Sequence, residues 1–192
     1  MVLMIFQSEI YSHLLVTFVY FFLVSVLRFK LDWGLFGLWI GALMGTFFLD
    51  IDHLIYYFVT FPNDPNSQEA RRIWRTNGWR GWKEFLRFGK KVHYNYNFLI
   101  FHSAIGQIIL VILAFYILTS GGSIFGSGFI MAVNLHLLKD EWWEYFFIDK
   151  GRLATTLFWQ IREPKLRGYL REYLLVVSLI FLMMTGLLIR GI

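Results

Sequence analysis

The residues with the clearest chemical potential are Asp50, Asp52 and His53, which form the run Asp-Ile-Asp-His inside an otherwise apolar stretch. Nearly all of the remaining side chains from Leu35 to Phe61 are hydrophobic. Ionisable groups at membrane depth are costly, and they face a protein interior or an aqueous cavity where they serve a function. Carboxylate and imidazole groups are also ligands for divalent metals. The run therefore predicts a functional site within a membrane helix.

Two further groups of residues supply the same kinds of side chain. His136 and Asp140 are four residues apart and Asp50 and His53 are three apart, so each pair lies on one face of a helix. With His102 they form a set of carboxylates and imidazoles that suits one or two divalent metals. The chain has no cysteine. Thiolate ligands are therefore excluded, and we expect zinc or manganese held by nitrogen and oxygen atoms.

Three other residues have alternative roles. His13 is either a further metal ligand or a hydrogen-bonded interior group. Asp52 points away from Asp50 on an ideal helix. It is a metal ligand only if the helix is distorted there, and otherwise it orients a ligand through a hydrogen bond. Asp52 and Glu144 are also the candidate catalytic general bases, although Glu144 is alternatively a solvated residue at the membrane interface.

Composition and segment lengths indicate the elements that must position these residues. Of the 192 residues 57% are hydrophobic, and the mean hydropathy is +0.55, which is typical of polytopic membrane proteins. A membrane-spanning helix needs roughly 20 apolar residues. We assign such helices to residues 10–27, 35–61, 98–118, 124–138 and 169–189. The sequence thus predicts an all-α, polytopic membrane helix bundle with about five transmembrane helices, forming a single domain over residues 1–192.

Lysine and arginine residues are concentrated on one side of this predicted bundle. Segment 71–91 carries eight of them and segment 139–171 carries seven. The positive-inside rule places these basic loops and the N-terminus on the cytoplasmic side of the cell (inner) membrane. With that topology the candidate ligands on four different helices all lie at a similar depth, near the cytoplasmic face.

The basic loop at residues 62–97 has the pattern of a helix lying on a membrane surface. Trp79, Trp82, Phe85 and Leu86 fall near one helical face, and basic residues occupy the rest. Guanidinium groups bind phosphates well. The residues expected to contact an anionic substrate headgroup are Arg71, Arg72, Arg75, Arg80 and Arg87. The expected partner is membrane lipid; no nucleic acid is expected, and a homo-oligomer is left open.

The motifs together resemble a known family. The run from Gly41 to His53 is similar to the "G…LLPDIDH" signature of the YdjM-like membrane-bound proteins, which are predicted metal-dependent hydrolases. Phe101-His102-Ser103 resembles the family's "THS" element, and His136 to Asp140 resembles its "HxxxD" element. His13 falls where the family often has an early histidine. The resemblance covers about residues 8–145, and it departs from the family pattern at Leu49, where the family has proline.

The resemblance implies a metal-activated water that attacks a phosphoester. We therefore expect a membrane-embedded metal-dependent hydrolase that acts at the cytoplasmic interface on a phosphoester or lipid substrate. The alternative is a non-enzymatic membrane protein that binds or transports a metal or protons, or that recruits a partner through the basic loop. A transport path would need polar groups that continue to the outer face, and few residues there are polar.

Overall fold

The computed structural model describes residues 2–29, 32–92, 98–161 and 163–190, and this part of the chain contains helices and no strand. Its α-helices are α1 (Val2–Arg28), α2 (Trp33–Phe48), α3 (Ile51–Ile55), α4 (Pro65–Asn77), α5 (Trp82–Val92), α6 (Ala104–Thr119), α7 (Ile124–Phe147), α8 (Lys150–Phe158) and α9 (Leu170–Arg190). A π-helical segment, Tyr56–Thr60, follows α3, and 3₁₀ segments, Gly78–Gly81 and Pro164–Tyr169, precede α5 and α9. The predicted all-α helix bundle is confirmed.

Large apolar side chains cover the exterior of the bundle as well as its core. Phe18 on α1 and Met183 on α9 are 57% and 67% exposed, and the Thr17 and Thr46 hydroxyls are buried and hydrogen-bonded to each other at 3.0 Å. An apolar exterior suits lipid as the solvent. The stretches Tyr11–Arg28, Trp33–Thr60 and Pro164–Arg190 are long and apolar enough to cross a membrane, and α6 is a shorter apolar helix. The fold is that of a membrane protein.

The closest packing in the bundle is between α2 and α7. Gly41 and Gly45 of α2 lie against the backbone of α7, and Gly128 of α7 lies against the backbone of α2. A Cβ atom at any of these positions would overlap a carbonyl oxygen of the facing helix. Small residues are what allow membrane helices to approach this closely. The contact brings backbone atoms of α2 within reach of side chains on α7.

The second predicted span is interrupted at its Asp-Ile-Asp-His run. The amide nitrogens of Asp50, Asp52 and His53 bond to carbonyl oxygens three residues earlier, at 3.3, 2.9 and 3.3 Å. Such tight turns have fewer residues per turn than an α-helix, so they rotate the following side chains relative to α2. The helix is therefore distorted at Asp52, which is the condition under which the sequence predicts that Asp52 acts as a metal ligand. The distortion leaves Asp52 buried and Asp50 exposed.

Other helix boundaries also differ from the predicted ones. The third span begins at Ala104 rather than at residue 98, because the Ser103 hydroxyl caps the helix by accepting from the Gly106 amide at 3.1 Å. The fourth, α7, continues beyond residue 138 to Phe147. Between these spans and α9 lies α8, which was not predicted. Its first turn is capped by the carboxylate of Asp149.

The basic loop folds as two helices, α4 and α5, which pack on the π-helical segment. Phe85 is buried against Tyr57 and Trp74, with ring centroids 5.9 and 5.6 Å apart, so it belongs to this small core and not to a surface face. Trp79 and Trp82 remain exposed at 82% and 50%. Residues 93–97 of the predicted loop lie outside the described part of the chain.

Candidate metal centre

Three of the predicted ligands meet at one point. The Nε2 atom of His13 lies 3.1 Å from Oδ1 of Asp140, and Nε2 of His136 lies 3.0 Å from Oδ2 of the same carboxylate. The two imidazole rings stack with centroids 3.9 Å apart. Among the described residues, this trio is the group whose ligand atoms all fall within 4.8 Å of one another. His13 thus lies among the candidate ligand atoms, and its contacts with Asp140 and Lys139 also fit a hydrogen-bonded interior group, so both alternatives stay open.

The donor set fits a divalent metal of the zinc type. Two imidazoles and a carboxylate are a common protein ligand set of catalytic zinc, which keeps a fourth position open. Ligand atoms about 2.1 Å from a tetrahedral metal lie about 3.4 Å from each other. The separations of 3.0 and 3.1 Å in the trio are of similar size. The Lys139 amine lies within 3.1 Å of two of these ligand atoms, so an ion also requires that amine to move.

A backbone carbonyl of α2 fixes the orientation of His136. The Nδ1 atom of this imidazole donates to the carbonyl oxygen of Thr46 at 2.6 Å. Nε2 is then the nitrogen that faces Asp140, 3.0 Å from Oδ2. Metal-binding histidines commonly have their second nitrogen held in this way. The carbonyl is within reach because Gly45, one residue earlier, lets α2 and α7 approach closely.

Asp52 positions the loop that carries His102. Its carboxylate accepts from the backbone amides of Ile100, Phe101 and His102 at 3.1, 2.8 and 3.3 Å, and it contacts His102 Nδ1 at 3.1 Å. Asp52 is 1% exposed. The geometry therefore favours the second alternative, in which Asp52 orients a histidine.

The remaining predicted ligands lie beside the trio and not within it. The ring of His102 is 6.2 Å from that of His136, and the ring of His53 is 6.1 Å from that of His102, measured between centroids. Asp50 is close enough to His136 to interact with it electrostatically. Neighbouring rings among the described histidines are thus 3.9 to 6.2 Å apart between centroids.

Glu144 lies one helical turn beyond Asp140, past the apolar part of α7. It forms an ion pair with Arg152 of α8, while its Oε1 atom is buried without a hydrogen bond to a described residue. A carboxylate oxygen that has no hydrogen-bond donor keeps a lone pair for a proton. The predicted alternative of a solvated residue does not hold, because Glu144 is 9% exposed.

Three groups at the site were not predicted. They are the Thr46 carbonyl, Arg152 and Lys139, whose amine lies 3.0 Å from His13 Nε2 and 3.1 Å from Asp140 Oδ1. A backbone carbonyl leaves no signal in the sequence. Arg152 lies on α8, within the segment 139–171 for which the sequence predicts a basic loop and no helix. Lys139 does have a signal, because it stands between His136 and Asp140 in an apolar helix.

The predicted headgroup-binding arginines separate into two sets. Arg71, Arg72 and Arg75 line a cleft of about 360 Å³ on α4 together with Gln68 and Thr76. Arg72 is paired with Glu69 at 2.6 Å, and Arg71 donates to the carbonyl oxygens of Pro62 and Ser67. Arg80 and Arg87, the other two arginines predicted to bind a headgroup, do not line this cleft, and both are exposed.

No protein-family model, curated protein or solved structure matches this chain. The resemblance of its motifs to the YdjM-like proteins therefore stays a prediction from sequence.

Proposed function

We propose that this protein is a membrane-embedded, metal-dependent hydrolase with its metal centre at His13, His136 and Asp140. The observation that carries the proposal is the convergence of these three ligand atoms from two helices, with His136 already oriented by the Thr46 carbonyl. A divalent metal held there would activate a water molecule for attack on a phosphoester and would polarise the substrate oxygen. Zinc fits the donor set best, with manganese as the second choice.

The chain's own residues would bind the ligand and move the proton. Glu144, buried and close to Asp140, is the proposed general base, and Arg152 holds its carboxylate in place. Asp52 holds His102 beside His136. The proposed site lies at the cytoplasmic interface, because α4 and α5 carry seven of the 18 lysine and arginine residues and come shortly after the segment that bears Asp50 and His53.

Metal content tests the centre itself. Protein loaded with zinc and desalted is expected to retain the metal stoichiometrically in the wild type and to lose it in His136→Ala, because two ligands remain for a cation that needs three or more. Asn134→Ala is the matched control, since Asn134 is buried on the same helix but bonds only to the Ile130 carbonyl. Wild-type protein without zinc, or His136→Ala protein that keeps it, contradicts the proposal.

Hydrolysis separates the enzyme from the non-enzymatic alternative. Vesicles that contain headgroup-labelled phospholipids are incubated with the zinc-loaded protein, and released headgroup is measured. Release that is lost in both His136→Ala and Asp140→Asn supports catalysis at this centre. Zinc binding without release from any tested phospholipid supports a membrane protein that binds a metal without hydrolysing lipid.

The cleft on α4 is the proposed site for the substrate phosphate. Its Arg75 side chain forms no ion pair with a described residue. Arg75→Gln is expected to weaken binding of a water-soluble, short-chain phosphatidic acid about fivefold, the effect of one guanidinium near a phosphate. Arg87→Gln is the control. At about 0.5 M salt, where long-range attraction is screened, only Arg75→Gln is expected to change the dissociation constant. Equal effects of both variants contradict a specific cleft.

A further inference from the structure

The Lys139 amine contacts two of the proposed metal ligands, His13 and Asp140, at the point where a cation would contact both. It is 3.0 Å from Nε2 of His13 and 3.1 Å from Oδ1 of Asp140, and those two atoms are themselves 3.1 Å apart. Only 13% of the lysine side chain is exposed. The amine therefore belongs to the interior of the site and not to its solvated edge.

Hydrogen-bond chemistry makes this amine the cation of the cluster. A lysine ammonium has three donors and no acceptor, so His13 Nε2 must present its lone pair to it. Asp140 Oδ1 is also an acceptor. Two acceptor atoms at 3.1 Å repel each other unless a positive group lies between them. The ammonium supplies that positive group, and it uses the single lone pair of His13 Nε2 that a metal would need.

We propose that Lys139 is the resident cation of the centre when no metal is bound, and that a divalent ion binds only by displacing it. The inference rests on the metal centre proposed above. A divalent ion and an ammonium cannot both bind the single lone pair of His13 Nε2, and their like charges repel at contact distance. Lys139 therefore lowers the metal affinity of the centre and also stabilises the bundle when the metal is removed.

The test removes the charge of Lys139 in the full-length protein purified in detergent. Zinc affinity is measured by competition with a chromogenic chelator for the wild type, Lys139→Met and Lys139→Gln. We expect both variants to bind zinc at least about tenfold more tightly than the wild type, since a competing unit charge has been removed. Lys139→Gln retains a donor for Asp140, so it provides a folded protein even where Lys139→Met does not. The exposed Lys83→Met is the control and is expected to keep wild-type affinity.

A second measurement tests whether Lys139 stabilises the metal-free protein. In the presence of a chelator, Lys139→Met is expected to unfold at a lower temperature than the wild type, because His13 and Asp140 have lost their shared cation. Zinc should restore the variant, and it should raise the unfolding temperature of the variant more than that of the wild type.

The outcomes distinguish this inference from the proposed function. Equal or weaker zinc affinity in both variants overturns the role of Lys139 and leaves the metal centre standing. Zinc binding by the variants alone supports the role of Lys139 and identifies it as a permanent occupant of the wild-type site, which contradicts the hydrolase. Absence of zinc binding from wild type and variants alike overturns both.

Discussion

Asp52→Asn is expected to lower the free energy of unfolding by about 3 kcal/mol or more, since it places an amide group against backbone donors in a buried position. In the native protein the carboxylate accepts from three successive amides and contacts the His102 ring. An asparagine keeps one acceptor oxygen, and its amino group faces an N–H group. The loop that carries His102 should then detach from α3. Unfolding in mixed detergent micelles measures the loss.

The same variant should also affect hydrolysis, because Asp52 positions His102, which lies beside the proposed metal centre with its ring 6.2 Å from that of His136. We expect a smaller loss of activity than in His136→Ala, which removes a proposed ligand. Asp64→Asn is the matched control, because Asp64 accepts from the amides of Asn66 and Ser67 at the start of α4 and asparagine caps helices equally well. Similar losses in the two variants would show that Asp52 has no special role.

Gly45→Ala is expected to destabilise the protein by about 3 kcal/mol, although the same change in a helix normally stabilises by about 1 kcal/mol. The added methyl group would overlap the carbonyl oxygen of Phe129 on α7. Relief of that overlap requires the two helices to separate, and separation removes the Thr46 carbonyl from His136. Zinc affinity should therefore fall together with stability.

Gly186→Ala in α9 is the control for Gly45→Ala, because it adds the same methyl group at a helix position with free space around it. No atom lies within 4 Å of a Cβ atom at this position, so the variant should be as stable as the wild type or up to about 1 kcal/mol more stable. The two alanine variants are compared by unfolding in mixed micelles and by zinc affinity. A Gly45→Ala protein that is as stable as Gly186→Ala would mean that α2 and α7 do not pack through this contact.

Hydrophobic segments and residue spacing determined much of this protein. A segment of about 20 apolar residues has few stable structures other than a helix in lipid, so the five predicted spans each contain a helix. The chemistry of the site was also predictable. A histidine or aspartate inside such a segment must have partners, and spacings of three and four residues bring two of them onto one helix face.

Tertiary structure decided which of these residues meet. The sequence placed Asp50 and His53 at the heart of the site, whereas the trio combines the early His13 with His136 and Asp140. Asp52 acquired its role from a local turn and from a loop about 50 residues later in the chain. The carbonyl of Thr46 joined the site through the close contact of α2 with α7, and Lys139 of α7 joined it through its contact with His13 of α1. Helical periodicity acts over a few residues, but distances between helices depend on the glycine contacts and turns that only the folded bundle reveals.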